Sequence, residues 1–304
     1  MSKDKNQLLI IEIVRFLAAF SVLVWHYQNF TFINFENINF VVEGQPFYSV
    51  LWPFYDRGLL GVQVFWAVSG FIFFWKYKLS LAKHLISAKH FFILRFSRLY
   101  PLHLLTLLLV CGLQLLYISK TNAYFCYQFQ DLTHFVTHIF MASNWISSDF
   151  TFNGPVWSVS CEVLVYLFFY VYVSKFNPGI KPTLAIFVIC AALCAFHLDH
   201  NVTNCLKYFL LGGLSFDFYT LMQGSKNRRA IERNLIALLI LVLGILFIAY
   251  HLNILRFKHY TFVLLILIPF VLYLLIVMIV SFFTYYFFEM PTQKYIRDRM
   301  LGYS

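Results

Sequence analysis

Eight stretches of this sequence stay apolar for close to the ~20 residues that a helix needs to cross a bilayer. They fall at about 8–28, 58–77, 99–118, 155–174, 183–198, 205–223, 235–251 and 261–287. The last is long enough to need tilt or an interfacial end. No soluble core of this chain length could bury so much apolar chain, because surface grows too fast with size. Composition agrees: 61% of the 304 residues are hydrophobic and 12% charged, where a soluble domain carries roughly a quarter charged residues. The expected fold is an all-α polytopic transmembrane helix bundle of about eight spans, or nine to ten if further short stretches cross. We expect one membrane-embedded domain over residues 1–304, with no appended soluble domain. The stretch 132–146 is short and polar, with His134, His138 and Asn144, and reads as a re-entrant or interfacial helix.

Lys3 and Lys5 before an apolar run resemble the start of a signal peptide. Glu12 and Arg15 interrupt that run, and no small-residue cleavage site follows, so it reads as a retained first span. The net charge of +10 would suggest nucleic acid for a soluble protein. Here it is a topology signal, because basic residues collect on the cytoplasmic side. With the N-terminus inside, the inner segments hold Lys3, Lys5, Lys76, Lys78, Lys83, Lys89, Arg95, Arg98, Lys175, Lys181, Lys226, Arg228, Arg229, Arg233, Lys294, Arg297 and Arg299. The outer segments hold only Arg57, Lys120, Lys207, Arg256 and Lys258. That asymmetry predicts cytoplasmic termini, and it largely vanishes if 132–146 also crosses. The expected setting is a multi-pass protein of the bacterial cytoplasmic (inner) membrane, in contact with membrane lipids and not with nucleic acid.

Six cysteines are present, four of them in apolar runs where Cys is usually a small buried hydrophobe. No CxxC or Cys/His spacing suggests zinc, and no metal is expected. Cys126 and Cys205 fall on the same expected side, and a disulfide between them is one alternative.

Ionisable residues inside apolar spans carry the functional signal, since each costs at least about 2.5–3.5 kcal/mol near the bilayer centre. The first span holds Glu12, Arg15 and His26. Eleven residues of helix bring Arg15 and His26 within about 20° of one face and about 16 Å apart along the axis. Glu12 and Arg15, spaced i, i+3, could equally neutralise each other, and His26 could be an interfacial residue beside Trp25 and Tyr27. The fourth span opens with Pro155, well placed near a helix start, followed by Trp157, Ser158, Glu162 and Tyr166. Ser158, Glu162 and Tyr166 form one stripe. Glu162 could orient His26 or pair structurally with Arg15. Ser69-Gly70 in the second span fits close helix packing as well as a site. Arg95 and Arg98, just before the third span, suit an anionic phosphate ligand or anchoring at lipid headgroups.

In this order the segments resemble the acyltransferase-3 family of membrane acyltransferases. The carrying residues are Arg15 and His26; Phe65 to Phe71, ending Ser-Gly-Phe; Arg95, Arg98 and Pro101; Trp157-Ser158 with Glu162 and Tyr166; and Ser281 to Pro291, with Tyr286 and Glu289. Each motif alone is weak, and five in order over nearly the whole chain are a strong signal. The late Ser-Tyr-x-x-Tyr-Leu-x-His segment that members often carry has no counterpart here.

The resemblance implies transfer of an acyl group, usually acetyl, from cytoplasmic acyl-CoA (typically acetyl-CoA) to a hydroxyl. The implied acceptor is a glycan or lipid-linked sugar of lipopolysaccharide, capsule, exopolysaccharide or peptidoglycan. His26 would be the general base, with Glu162 orienting it. Arg15 would stabilise charge on the thioester oxygen or bind a CoA phosphate. Arg95 and Arg98 would hold CoA phosphates, with Ser69, Trp157, Ser158 and Tyr166 completing the site. Direct transfer and an acyl-His intermediate are both open. The rival class is a transporter or flippase of a glycan or lipid intermediate, which would more often show inverted repeats and Gly/Pro-broken spans. A scaffolding protein would have little use for Arg15, His26 and Glu162 at lipid depth.

Overall fold

The structure, a computed structural model, describes residues 2–31, 41–127, 129–198, 200–227 and 290–301, together with 230, 234 and 237. The proposed spans 235–251, apart from residue 237, and 261–287, and Ser281, Tyr286 and Glu289, lie outside the described residues. Helices run in the order α1 (Ser2–Tyr27), α2 (Tyr48–Arg57), α3 (Leu60–Ala82), α4 (Ala88–Thr121), α5 (Leu132–Ile139), α6 (Trp157–Phe176), α7 (Ile180–Ala195), α8 (Asn201–Gly224) and α9 (Met290–Leu301). The only β-type pairing among the described residues is an isolated bridge between Phe129 and Thr151. The chain is an all-α membrane helix bundle.

Among the described residues three segments are long and apolar enough to cross a membrane: Leu60–Ala82, Ala88–Thr121 and Gly154–Phe176. The runs at 8–28, 183–198 and 205–223 coincide with α1, α7 and α8. Helix α7 is apolar but only 16 residues long. The third expected span began at 99, whereas α4 begins at Ala88. Ser87 caps it, its side chain accepting from the His90 amide at 3.2 Å, so the polar turns carrying Arg95 and Arg98 lie within the helix rather than ahead of it. At 34 residues, α4 extends roughly 51 Å, well beyond the ~30 Å hydrocarbon layer. Its buried Pro101 sits mid-helix, which is tolerated where neighbouring groups meet the freed carbonyls. Leu108, Leu109, Leu113, Leu115 and Leu116 are each more than half exposed on α4. An apolar face of that extent is a membrane-contacting surface rather than a water-facing one.

The core forms where α3, α4, α6 and α8 meet. Phe73 is its centre, stacked on Tyr166 at 4.4 Å and edge-on to Phe169 and Phe209, each at 5.4 Å. Backbones approach closely along α3 and α8: a Cβ on Gly70 would run into the Phe209 carbonyl, and one on Gly212 into that of Ala67. Small residues permit this approach, so Ser69-Gly70 does serve packing. Further along the same interface Lys78 Nζ donates to both Asp217 oxygens, at 2.6 and 2.7 Å. All six cysteines are free, so the alternative of a Cys126–Cys205 disulfide is not realised. Helix α9, with Pro291 in its first turn, packs against α4.

Candidate active site

The start of α6 is built to present its first turns. Asn153 Nδ2 donates to Thr106 Oγ1 of α4 at 2.9 Å. Gly154–Val156 then forms a 3₁₀ turn with Pro155 at its start, where the missing N–H costs nothing. Trp157 packs edge-on against Trp66 of α3 at 5.5 Å. Ser158 Oγ donates to the Pro155 carbonyl at 3.4 Å, and Glu162 follows one turn later.

Glu162 is held by two donors. Ser69 Oγ donates to Oε1 at 3.3 Å, and the Tyr166 hydroxyl to Oε2 at 2.5 Å. Arg98 and Arg95 are near enough to act on the carboxylate through space. A carboxylate at this depth needs such partners. Arg95 is itself fixed: it donates to the Tyr77 hydroxyl, and its guanidinium lies over the Phe73 and Tyr77 rings at 4.9 and 5.1 Å. Arg15 pairs with Glu12 at 3.0 Å. His26 lies in the last turn of α1, and its Nδ1 is 3.1 Å from Asn29 Nδ2.

These groups converge. Arg15, His26, Ser69, Arg95, Arg98, Trp157, Ser158, Glu162 and Tyr166 all line one cavity of about 310 Å³ between α1, α3, α4 and α6. Arg15 and His26 share one face, as eleven residues of helix require. Two expected pairings differ. Among the described residues Glu162 makes no hydrogen bond to His26; its oxygens accept from Ser69 and Tyr166. Glu162 does not pair with Arg15 either, whose carboxylate partner is Glu12. Asn29 takes the partner role at His26, and Tyr77 holds Arg95. Neither was singled out from the sequence, although Asn29 stands one helical turn beyond His26. No group of three or more His, Cys, Asp or Glu among the described residues could hold a metal ion.

The arrangement combines an imidazole, a doubly hydrogen-bonded carboxylate and three guanidinium groups around one small space. That is the equipment for moving a proton beside an anionic ligand.

Residues 8–300 match the acyltransferase-3 family's acyltransferase domain. An acyltransferase, MdmB, of Streptomyces mycarofaciens is 26% identical over 159 residues, which are 51% of this chain and 36% of that protein. No solved structure matches. Since the family's domain runs over nearly the whole sequence, the chain belongs to the acyltransferase-3 family.

Proposed function

We propose that the chain is a membrane-bound O-acyltransferase that moves an acyl group, typically acetyl, from cytoplasmic acyl-CoA to a hydroxyl of a surface glycan or its lipid-linked precursor. The proposed setting is the bacterial cytoplasmic membrane, crossed several times with the N-terminus inside. One observation carries the reading: His26, Glu162 and three arginines from three different helices line the same cavity. At about 310 Å³ the cavity lies at the small end of the roughly 300–1,000 Å³ typical of ligand sites. It suits the acyl-thioester end of the donor rather than the whole nucleotide.

In this reading Arg15, Arg95 and Arg98 draw the polyanionic donor and offset charge gathering on the thioester oxygen. His26 takes the proton of the acceptor hydroxyl. The hydroxyl oxygen attacks the thioester carbonyl carbon, the C–S bond breaks, and the imidazolium returns its proton to the departing thiolate. Glu162, with its Ser69 and Tyr166 donors, fixes the α3–α6 wall and the arginines facing it. It does not orient the imidazole directly.

The test is His26→Ala. With general-base catalysis contributing about 10²–10⁴-fold, the variant should lose transfer from radiolabelled acetyl-CoA by at least that factor while reaching the membrane at normal levels. Retained transfer would remove His26 from the mechanism.

A further inference from the structure

A second cavity, of about 190 Å³, also reaches His26. It shares His26, Leu59, Pro155 and Trp157 with the first, so the imidazole stands at the junction of the two. Their linings contrast in charge. The first carries Arg15, Arg95 and Arg98 as well as Glu162. Among the described residues the second is lined by no Asp, Glu, Lys or Arg, and is walled by Trp25, Tyr127, Phe150 and Trp157 with the Gln28 and Asn29 amides.

The aromatic wall is ordered by its own contacts. Tyr127 and Phe150 stack at 5.9 Å, Phe150 meets Trp157 edge-on at 6.3 Å, and Trp25 meets the His26 ring edge-on at 4.8 Å. Gly154 is the seat of Tyr127: any Cβ there would run into the phenol ring. Tyr127 and Phe150 come from the connection between α4 and α6, at the end of the bundle opposite the Lys78–Asp217 pair.

We propose that this second cavity is the acceptor chamber, and that it takes an uncharged hydroxyl compound with a ring that lies on the aromatic wall, a neutral sugar residue being the fitting class. The inference rests on the acyl-CoA reading above. A polyanionic donor belongs with the guanidinium groups, because an anion in the uncharged chamber would be desolvated without a partner. A neutral ring loses little by entering it, and aromatic faces give such rings a flat apolar surface. The hydroxyl then arrives at His26 from one side and the thioester carbonyl from the other. The volume admits one monosaccharide-sized ring, so an oligosaccharide would present its terminal residue.

The experiment uses the full chain in lipid nanodiscs, acetyl-CoA as donor, and p-nitrophenyl β-D-glucoside, β-D-galactoside, N-acetyl-β-D-glucosaminide and β-D-glucuronide as acceptors, with CoA release and product mass as readouts. A neutral glycoside should accelerate CoA release and become acylated, and the glucuronide should be poorer by about tenfold or more. Phe150→Ala should raise the KM for the neutral glycoside by about fivefold, the size of one lost aromatic contact, with the acetyl-CoA KM within about twofold. Phe150→Tyr, which restores a ring, should recover the glycoside KM. The assignment is overturned if Phe150→Ala leaves the glycoside KM unchanged or moves the acetyl-CoA KM instead. It is also overturned if the glucuronide serves as well as the glucoside, or if CoA is released and no neutral glycoside accelerates it. A protein that releases no CoA with or without acceptor overturns the acyl-CoA reading itself, and the chamber assignment with it.

Discussion

Asn29 contacts the Nδ1 edge of His26 at 3.1 Å, and the amide atom facing the ring decides which nitrogen can act. With the amide N–H donating, Nδ1 is the acceptor and Nε2 carries the proton. With the amide turned, Oδ1 accepts from Nδ1–H and Nε2 keeps the lone pair that a base needs. Catalysis by Nε2 requires the second arrangement. Asn29→Asp, which can only accept, should therefore keep kcat within about threefold, whereas Asn29→Ala should lower it by about tenfold or more with the donor KM unchanged, a share of the ~10²–10⁴-fold a general base supplies. Steady-state CoA release for the two variants checks this, and equal kcat for wild type and Asn29→Ala would mean that the contact does not position the base. Asn29 was legible in principle, one turn beyond His26, but it lies past the apolar run that defines the span and so past where polar residues look anomalous. Glu162 stood out for the opposite reason, as an acid inside an apolar helix. Tyr166 shows with it, one turn on along the same stripe, and Ser69 shows as a site residue, but that Ser69 donates to Glu162 depends on how α3 packs on α6, which no spacing encodes.

Among the elements, α5 shows how a short polar helix is tied to the bundle. Asp131 caps it by accepting from the His134 amide at 2.9 Å. His103 Nε2 of α4 is 2.6 Å from the His138 carbonyl oxygen, and His138 Nε2 is 2.7 Å from Thr151 Oγ1. The His138 side chain is buried, and burial, aided by the nearby His103 and His134, lowers its pKa from the usual 6.5 to about 4. The unfolded chain therefore binds a proton that the folded one refuses between these values. Stability from this group is complete above about pH 6.5 and is lost as pH falls towards 4, by up to about 3 kcal/mol. Thermal unfolding in nanodiscs at pH 7 and pH 4.5 should show that loss, and His138→Gln should reduce the difference between the two pH values. An unchanged pH difference in the variant would place the sensitivity elsewhere. The sequence shows 132–146 as too short and polar for a span, as the eight residues of α5 bear out. It misses the early start of α4 because hydropathy marks lipid-facing length, whereas the Ser87 cap and the polar first turns extend the helix beyond it.

Across the whole molecule, the packing of α3 on α8 bears on topology independently of charge. Trp66 meets Tyr208, Phe71 meets Phe216, and Lys78 meets Asp217, so contacts advance together along both helices and the two run parallel. Parallel helices that both cross a membrane are separated by an odd number of crossings. Helices α4, α6 and α7 supply three if α5 does not cross, and α5 as a further crossing would make α3 and α8 antiparallel. This agrees with the basic residues, which collect on one side only when 132–146 stays out of the count. In the proposed orientation, with the N-terminus inside, Arg15 sits deeper towards the cytoplasm than His26, and the aromatic chamber opens outwards. Lys120, at the end of α4, and Lys226, just after α8, should lie on opposite sides of the membrane. Alkaline phosphatase and green fluorescent protein fusions at each position measure this directly: phosphatase activity is expected at Lys120 and fluorescence at Lys226. Agreement between the two positions would require another crossing between α4 and α8, and donor and acceptor would then have no separate routes to His26.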